Sequence, residues 1–159
     1  MQLISPDKVI RGKNAWEKSL PEIVKISKSP LLLGKSSITR SLRSRISNDL
    51  SRLNLKVYNS ELEFDCCEED LTRIYNLSIE YKCDSIITAG GGKVLDAGKL
   101  LAEYLSVPCI TVPLSAATCA GWTALSNIYT KEGKFVKDIK LKSCPQILVC
   151  DHSFINSAP

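Results

Sequence analysis

Short runs that are apolar on both faces, each next to an amphipathic helical pattern, constrain this chain more than any other feature. "SPLLLGKS" at 29–36 holds an apolar run bounded by Pro30 and Gly34, "DSIITAG" at 84–90 ends in glycine, and "PCITVP" at 108–113 follows a helical pattern. A strand without polar alternation has no face to offer water. It needs cover on both sides, as in a parallel sheet with crossover helices.

The intervening segments supply that cover. "AWEKSLPEIVKI" at 15–26 carries apolar residues at helical spacing, with Pro21 expected to start, kink or interrupt the helix. "SITRSLRSRISNDLSRL" at 37–53 places Ile38, Leu42, Ile46 and Leu50 on one helical face. A third helix at 68–82 opens on the acidic "CEEDL", which suits the positive end of the helix dipole, and turns Leu71, Ile74, Leu77 and Ile79 inward. "GKVLDAGKLLAEYLS" is the fourth. Further strands are expected at 7–12, in "NLKVYN" at 54–59 and in "QILVCD" at 146–151. "LSAATCAGWTALSN" reads as a small-residue loop, and "SNIYTKEGKFVKDI" as a hairpin turning at Glu132 and Gly133. The expected architecture is α/β: one doubly wound, mainly parallel, Rossmann-like sheet with a β-hairpin insertion. Ligand chemistry belongs where the C-terminal ends of the strands meet loops.

At 159 residues the chain suits a single domain over 1–159. Its 44% hydrophobic and 24% charged residues describe an ordinary globular composition. No apolar run approaches the roughly 20 residues of a membrane span, and "MQLISPDKVIRGKN" lacks a signal-peptide core, so a cytoplasmic location is expected. The seven cysteines are odd in number and form no CxxC pair, which suggests neither a disulfide framework nor a zinc ribbon. The net charge of +4 is spread apart from "RSLRSR" at 40–45, which reads as a solvated helix face rather than a nucleic-acid contact.

In "SIITAGGGKVLDAGK", Gly90, Gly91 and Gly92 stand between a strand and a helix. Unhindered backbone N–H groups there are suited to an anion, and Lys93 adds a mobile positive charge. The pattern is neither GxGxxG nor the P-loop, and spacing alone leaves a phosphate cradle and a tight turn equally open. Asp96 lies one helical turn beyond Lys93, either facing the same crevice or favouring the first turn of its helix.

"GGGKVLDAGK", then "ITVPLSAATCAGWTALSNIYTKEGKF", then "PQILVCDHSFINSAP", together with the opening "LISPDKVIRGKN", resemble the glycerol dehydrogenase branch of the iron-containing (metal-dependent) alcohol dehydrogenases. The similarity runs along the whole chain in the family's order. It implies an N-terminal domain that binds NAD or NADP, with Gly91, Gly92, Lys93, Val94, Leu95 and Asp96 as the pyrophosphate loop. Ser115, Ala117, Thr123, Leu125 and Tyr129 match cofactor-contact positions on the nicotinamide side. Small residues there permit close approach of a flat ring, and Thr123 and Tyr129 offer hydroxyls. Read from its residues alone, Tyr129 is equally a hairpin residue packing on the sheet.

Three departures from the family pattern stand out. Cys119 occupies a position where glycerol dehydrogenases commonly place an aspartate on the polyol; a thiol is a poorer acceptor, which puts glycerol in doubt and leaves room for an apolar filler. Lys35, with Ser36 and Ser37, stands where an NAD-preferring member tends to place an acid on the adenosine ribose. It is either a site for a 2′-phosphate or a solvent-facing loop lysine. Third, the family's helical C-terminal domain, which supplies an aspartate and histidines to zinc or iron, is expected to begin where "INSAP" stands. His152 is the single histidine and is expected to serve packing or the surface, so a metal site in this chain is not expected. The resemblance therefore implies the cofactor half of an alcohol or polyol oxidoreductase working by hydride transfer. Alone, the chain is expected to bind dinucleotide, turn over little or nothing, and self-associate through an uncovered edge. A non-catalytic dinucleotide-binding module is the alternative, as is a dehydroquinate synthase-like or glycerol-1-phosphate dehydrogenase-like member of the superfamily.

Overall fold

The computed structural model describes residues 4–157. Six strands, β1 (Lys8–Gly12), β2 (Pro30–Gly34), β3 (Tyr58–Glu61), β4 (Ser85–Gly90), β5 (Cys109–Pro113) and β8 (Ile147–Asp151), form one sheet in the order β1-β8-β5-β4-β2-β3. Every pairing in it is parallel. β6 (Leu125–Tyr129) and β7 (Phe135–Lys140) form a separate antiparallel hairpin.

Helices α1 (Ala15–Ile26), α2 (Arg40–Arg52) and the short α5 (His152–Asn156) cover one face. Trp16, Ile23, Ile46, Leu50 and Phe154 meet Leu32, Ile87, Ile110 and Val149 there. Helices α3 (Glu68–Glu80) and α4 (Gly92–Leu105) cover the other, with the hairpin beside them, against Leu31, Leu33 and Ile86. Neighbouring residues of one strand thus enter opposite cores, which is why these runs show no polar alternation. α4 lies unusually close to β4: a Cβ on Gly98 would stand 2.4 Å from the Thr88 Cβ, so only glycine permits the approach.

Several expectations shift. Pro21 does not interrupt α1, which runs unbroken through it with the proline exposed. The third strand sits later than "NLKVYN", at Tyr58–Glu61, because Leu55 and Val57 pack into the core as lead-in and the ladder to β2 starts at Tyr58. Ile38 precedes α2 and is exposed. Ile79 is exposed as well: the inward face of α3 passes through Leu71, Ile74 and Ser78, whose hydroxyl donates to the Ile74 carbonyl at 2.8 Å. The hairpin turns where expected, with Gly133 at φ 84° and its N–H donating to the Thr130 carbonyl. Among the described residues no helix is long and apolar enough to cross a membrane.

Candidate functional site

The sheet order reverses direction between β2 and β4, because α2 leads outward to β3 while α3 leads back to β4. At such a switch point the loops leaving two adjacent strands diverge and open a crevice above their C-terminal ends. Here a cleft of about 540 Å³ is lined by Lys35, Ser36, Ser37 and Thr39 from the loop after β2 and by Gly90 through Val94 after β4. A second cleft of about 370 Å³ adjoins it, sharing Gly92 and Lys93 and continuing past Asp96, Ser115, Ala117, Thr118, Cys119, Thr123, Leu125 and Tyr129. The two make one crevice over the start of α4.

That helix start is bare. Gly91 precedes it in extended backbone, φ −83° and ψ −176°, and the first N–H to bond back is that of Leu95, to the Gly91 carbonyl. Gly90 is required by packing, since a Cβ there would lie 2.8 Å from the Val94 Cβ. Gly91 is not: its backbone suits any residue, and nothing stands within 4 Å of where a Cβ would be. The space a side chain would fill is left open at the positive end of a helix, a fit for a phosphate group.

The loop after β2 is shaped from below by Arg43, which donates to the Ser36 carbonyl at 3.0 Å and to Thr39 Oγ1 at 2.5 Å and pairs with Glu61. Arg43 departs from the reading of "RSLRSR" as a solvated face, because it is buried; Arg40 and Arg45 stay exposed, pairing with Glu61 and Glu17.

Across the crevice the strap Thr123–Leu125 is held by Lys99. Its ammonium donates to the Thr123 carbonyl at 3.1 Å, to Thr123 Oγ1 at 3.2 Å and to the Leu125 carbonyl, and pairs with Asp96 at 3.1 Å. Burial pushes the Asp96 carboxyl above its usual range, partly offset by Lys99 and by the Asn127 N–H at 3.3 Å. The Thr123 hydroxyl turns to the Leu125 carbonyl at 3.3 Å. Tyr129 lies half-buried with the Lys93 ammonium 4.5 Å from its ring centroid and Phe135 edge-on to it.

Of the residues singled out in the sequence, the crevice gathers Lys35, Gly91, Gly92, Lys93, Val94, Asp96, Ser115, Ala117, Cys119, Thr123, Leu125 and Tyr129. Leu95 is fully buried in the helix–sheet core and lines neither cleft. Cys119 is exposed. Two residues escaped the sequence reading. Lys99 had a visible signal in the three-residue spacing Lys93, Asp96, Lys99, which stacks alternating charges along one helix face. Asp65, which pairs with both Lys35 and Lys93, was hidden in "EFDCCEED" as the acidic approach to α3.

His152 is exposed at the start of α5, and Asp151 beside it is used structurally, accepting from the Ser153 N–H at 2.8 Å and the Trp16 N–H at 2.9 Å. Among the described residues no three His, Cys, Asp or Glu side chains group as a metal site would require. They do not fit a zinc or iron ion.

Residues 6–152 match the model of the iron-containing alcohol dehydrogenases. The chain is 30% identical to glycerol dehydrogenase 1 of Schizosaccharomyces pombe over 158 residues, covering 98% of this chain and 34% of that protein. It is 28% identical to the glycerol dehydrogenase of Escherichia coli O6:H1 over 155 residues, covering 98% of this chain and 42% of that one. A probable glycerol dehydrogenase from Sinorhizobium meliloti superposes over 100% of this chain and 43% of its own, with a TM-score of 0.88 at 24% identity. The chain thus spans less than half the length of these relatives, corresponding to their N-terminal region.

Proposed function

The chain belongs to the iron-containing alcohol dehydrogenase family, and on that premise we propose that its crevice holds the dinucleotide of an oxidoreductase acting on an alcohol or polyol. The observation that carries this reading is Gly91, a glycine that neither backbone geometry nor neighbouring atoms require, at an uncapped helix start. A pyrophosphate seated there takes the first-turn N–H groups of α4, with Lys93 beside it still paired to Asp65, and leaves the nicotinamide over Ser115, Ala117, Thr123, Leu125 and Tyr129. Bound, the nicotinamide exchanges hydride with a carbinol carbon.

The chain's own residues bind and orient. Lys99 fixes the strap that forms one wall, Asp96 fixes Lys99, and the small residues between Ser115 and Ala120 keep that wall low enough for a flat ring. Cys119 sits on the substrate side of this wall as an exposed thiol, which favours a substrate held by contacts other than a charged acceptor.

On this reading residues 1–159 act as one domain that binds cofactor and does not turn over alcohol by itself. Trp122, Leu125, Phe135 and Val136, exposed on the crevice side and the hairpin, make self-association of the isolated chain an expected companion. Titration with NADH and NADPH, followed by nicotinamide fluorescence, tests it. Saturable binding of one or both with no oxidation of glycerol or related diols is expected. Failure to bind either, or robust turnover by the pure chain, overturns it.

A further inference from the structure

Asp65 lies beside the crevice without lining it, in the segment between β3 and α3, and its carboxylate takes a lysine on each oxygen. Lys93, from the first turn of α4, pairs with Oδ2, and Lys35, from the loop after β2, stands 3.7 Å from Oδ1. The Lys35 ammonium also donates to the Phe64 carbonyl, and the Cys66 N–H donates to Oδ1 at 3.2 Å. We infer that Asp65 determines cofactor selection, by holding the Lys35 ammonium away from a 2′-phosphate so that the chain favours the unphosphorylated dinucleotide.

The inference rests on the dinucleotide reading and follows from where the three charges sit. The stems of Lys35 and Lys93 line opposite walls of the 540 Å³ cleft, yet both ammonium groups converge on one carboxylate outside its lining. Asp65 is only 5% exposed, so the lysines come to it rather than the reverse. The hairpin tip closes in from a third side: a Cβ on Gly133 would lie 3.6 Å from Asp65 Oδ2 and 3.8 Å from the Lys93 ammonium.

In a doubly wound sheet, the loop that carries Lys35 faces the adenosine ribose. For Lys35 to meet a phosphate on that ribose, it must leave Asp65 and the Phe64 carbonyl, and a buried carboxylate must give up one of its two cations. Ribose hydroxyls ask for no such exchange. A lysine that in sequence looks like a 2′-phosphate receptor is thereby neutralised by a residue thirty positions further along.

The test is the ratio of NADPH to NADH affinity, from fluorescence titrations of wild type, Lys35→Ala, Asp65→Asn, Asp65→Glu and the double variant Asp65→Asn with Lys35→Ala. Wild type is expected to bind NADH more tightly, and Lys35→Ala to move the ratio by less than about twofold, since no contact to a phosphate is lost. Asp65→Asn frees Lys35 and shifts the ratio toward NADPH by about tenfold, the worth of one charge-assisted contact. Adding Lys35→Ala cancels that shift, and Asp65→Glu keeps the wild-type ratio. A purely structural role for Asp65 would weaken both cofactors together and leave the ratio alone, which overturns the inference. So does a Lys35→Ala chain that loses NADPH selectively by about tenfold in the wild-type background, and that arm holds even if Asp65→Asn does not fold. Binding of neither cofactor by wild type sinks the dinucleotide reading and this inference with it. NADH binding with an unmoved ratio in Asp65→Asn sinks the inference alone.

Discussion

Two helix starts at the same edge of the sheet are built in opposite ways. At the end of β8, Asp151 places a carboxylate between two helices: one oxygen accepts from Ser153 at the start of α5 and the other from the Trp16 N–H at the start of α1. At the end of β4 the chain places glycines, and α4 begins with its N–H groups turned to an open crevice. The protein supplies its own anion at the first place and withholds one at the second. What fixes α4 instead is a cation in its middle, the Lys99 ammonium buried against Asp96, Thr123 and Leu125. An open helix start is affordable where the helix is anchored elsewhere.

Breaking that anchor should have the largest effect. Lys99→Met leaves the buried Asp96 without its partner and the strap carbonyls without their donor, at a cost of about 3 kcal/mol or more. Urea unfolding followed by circular dichroism measures it, and a loss below about 1 kcal/mol would show that the hairpin holds the strap without help.

Making the two helix starts alike is the sharper experiment. Gly91→Asp gives α4 an internal anion at a position whose backbone and surroundings accept one. Dinucleotide affinity is expected to fall by at least about 100-fold, because the cap occupies the phosphate's place and repels it. The melting temperature should hold or rise. A loss of stability comparable to the loss of binding would mean that Gly91 is structural after all.

The converse change, Asp151→Ala, removes one cap from two helices and should lower stability by about 2 kcal/mol while leaving NADH affinity close to wild type. Calorimetry and the same fluorescence titration separate the two effects. The smallest effect is with pH. Burial alone would raise the Asp151 carboxyl, but hydrogen bonds from Ser153, Trp16 and Phe154 outweigh it and hold the group below its ordinary value. Its contribution is therefore complete above the unfolded-state value of about 4 and is lost as pH falls through the lower folded value. The stability gap between wild type and Asp151→Asn should be constant from neutral pH down to about 5 and narrow below about 4.

The sheet was legible because its signal is local: an apolar run of the right length between helical patterns names a buried strand wherever its neighbours lie. β3 starts later than "NLKVYN" suggests because Leu55 is buried and Val57 half-buried without being paired in the ladder, and apolarity reports burial rather than pairing. Ile79 misled for a related reason. The helical face it was assigned to is completed by Ser78, which meets its hydrogen-bonding need within its own helix and so can be buried.

The crevice divides along the same line. Gly91, Lys93 and Tyr129 belong to segments whose motifs carry their own geometry or resemblance. Asp65 and Arg43 acquire their roles from partners on other segments, Lys35 and Lys93 for one, Ser36 and Glu61 for the other. A charge written among other charges in a sequence does not disclose which of them will be inside.

The bond between Asp151 and the Trp16 N–H also bears on the order in which the molecule can assemble. It joins groups 135 residues apart, and among the described residues β1 lies at the sheet edge with β8 as its one strand neighbour. As the chain is synthesised, the central strands β2, β4 and β5 can pair among themselves before β1 has its strand partner. Closing that long loop is the contact that sequence separation makes slowest. Until β8 emerges, the edge of β1 stays open to wrong partners.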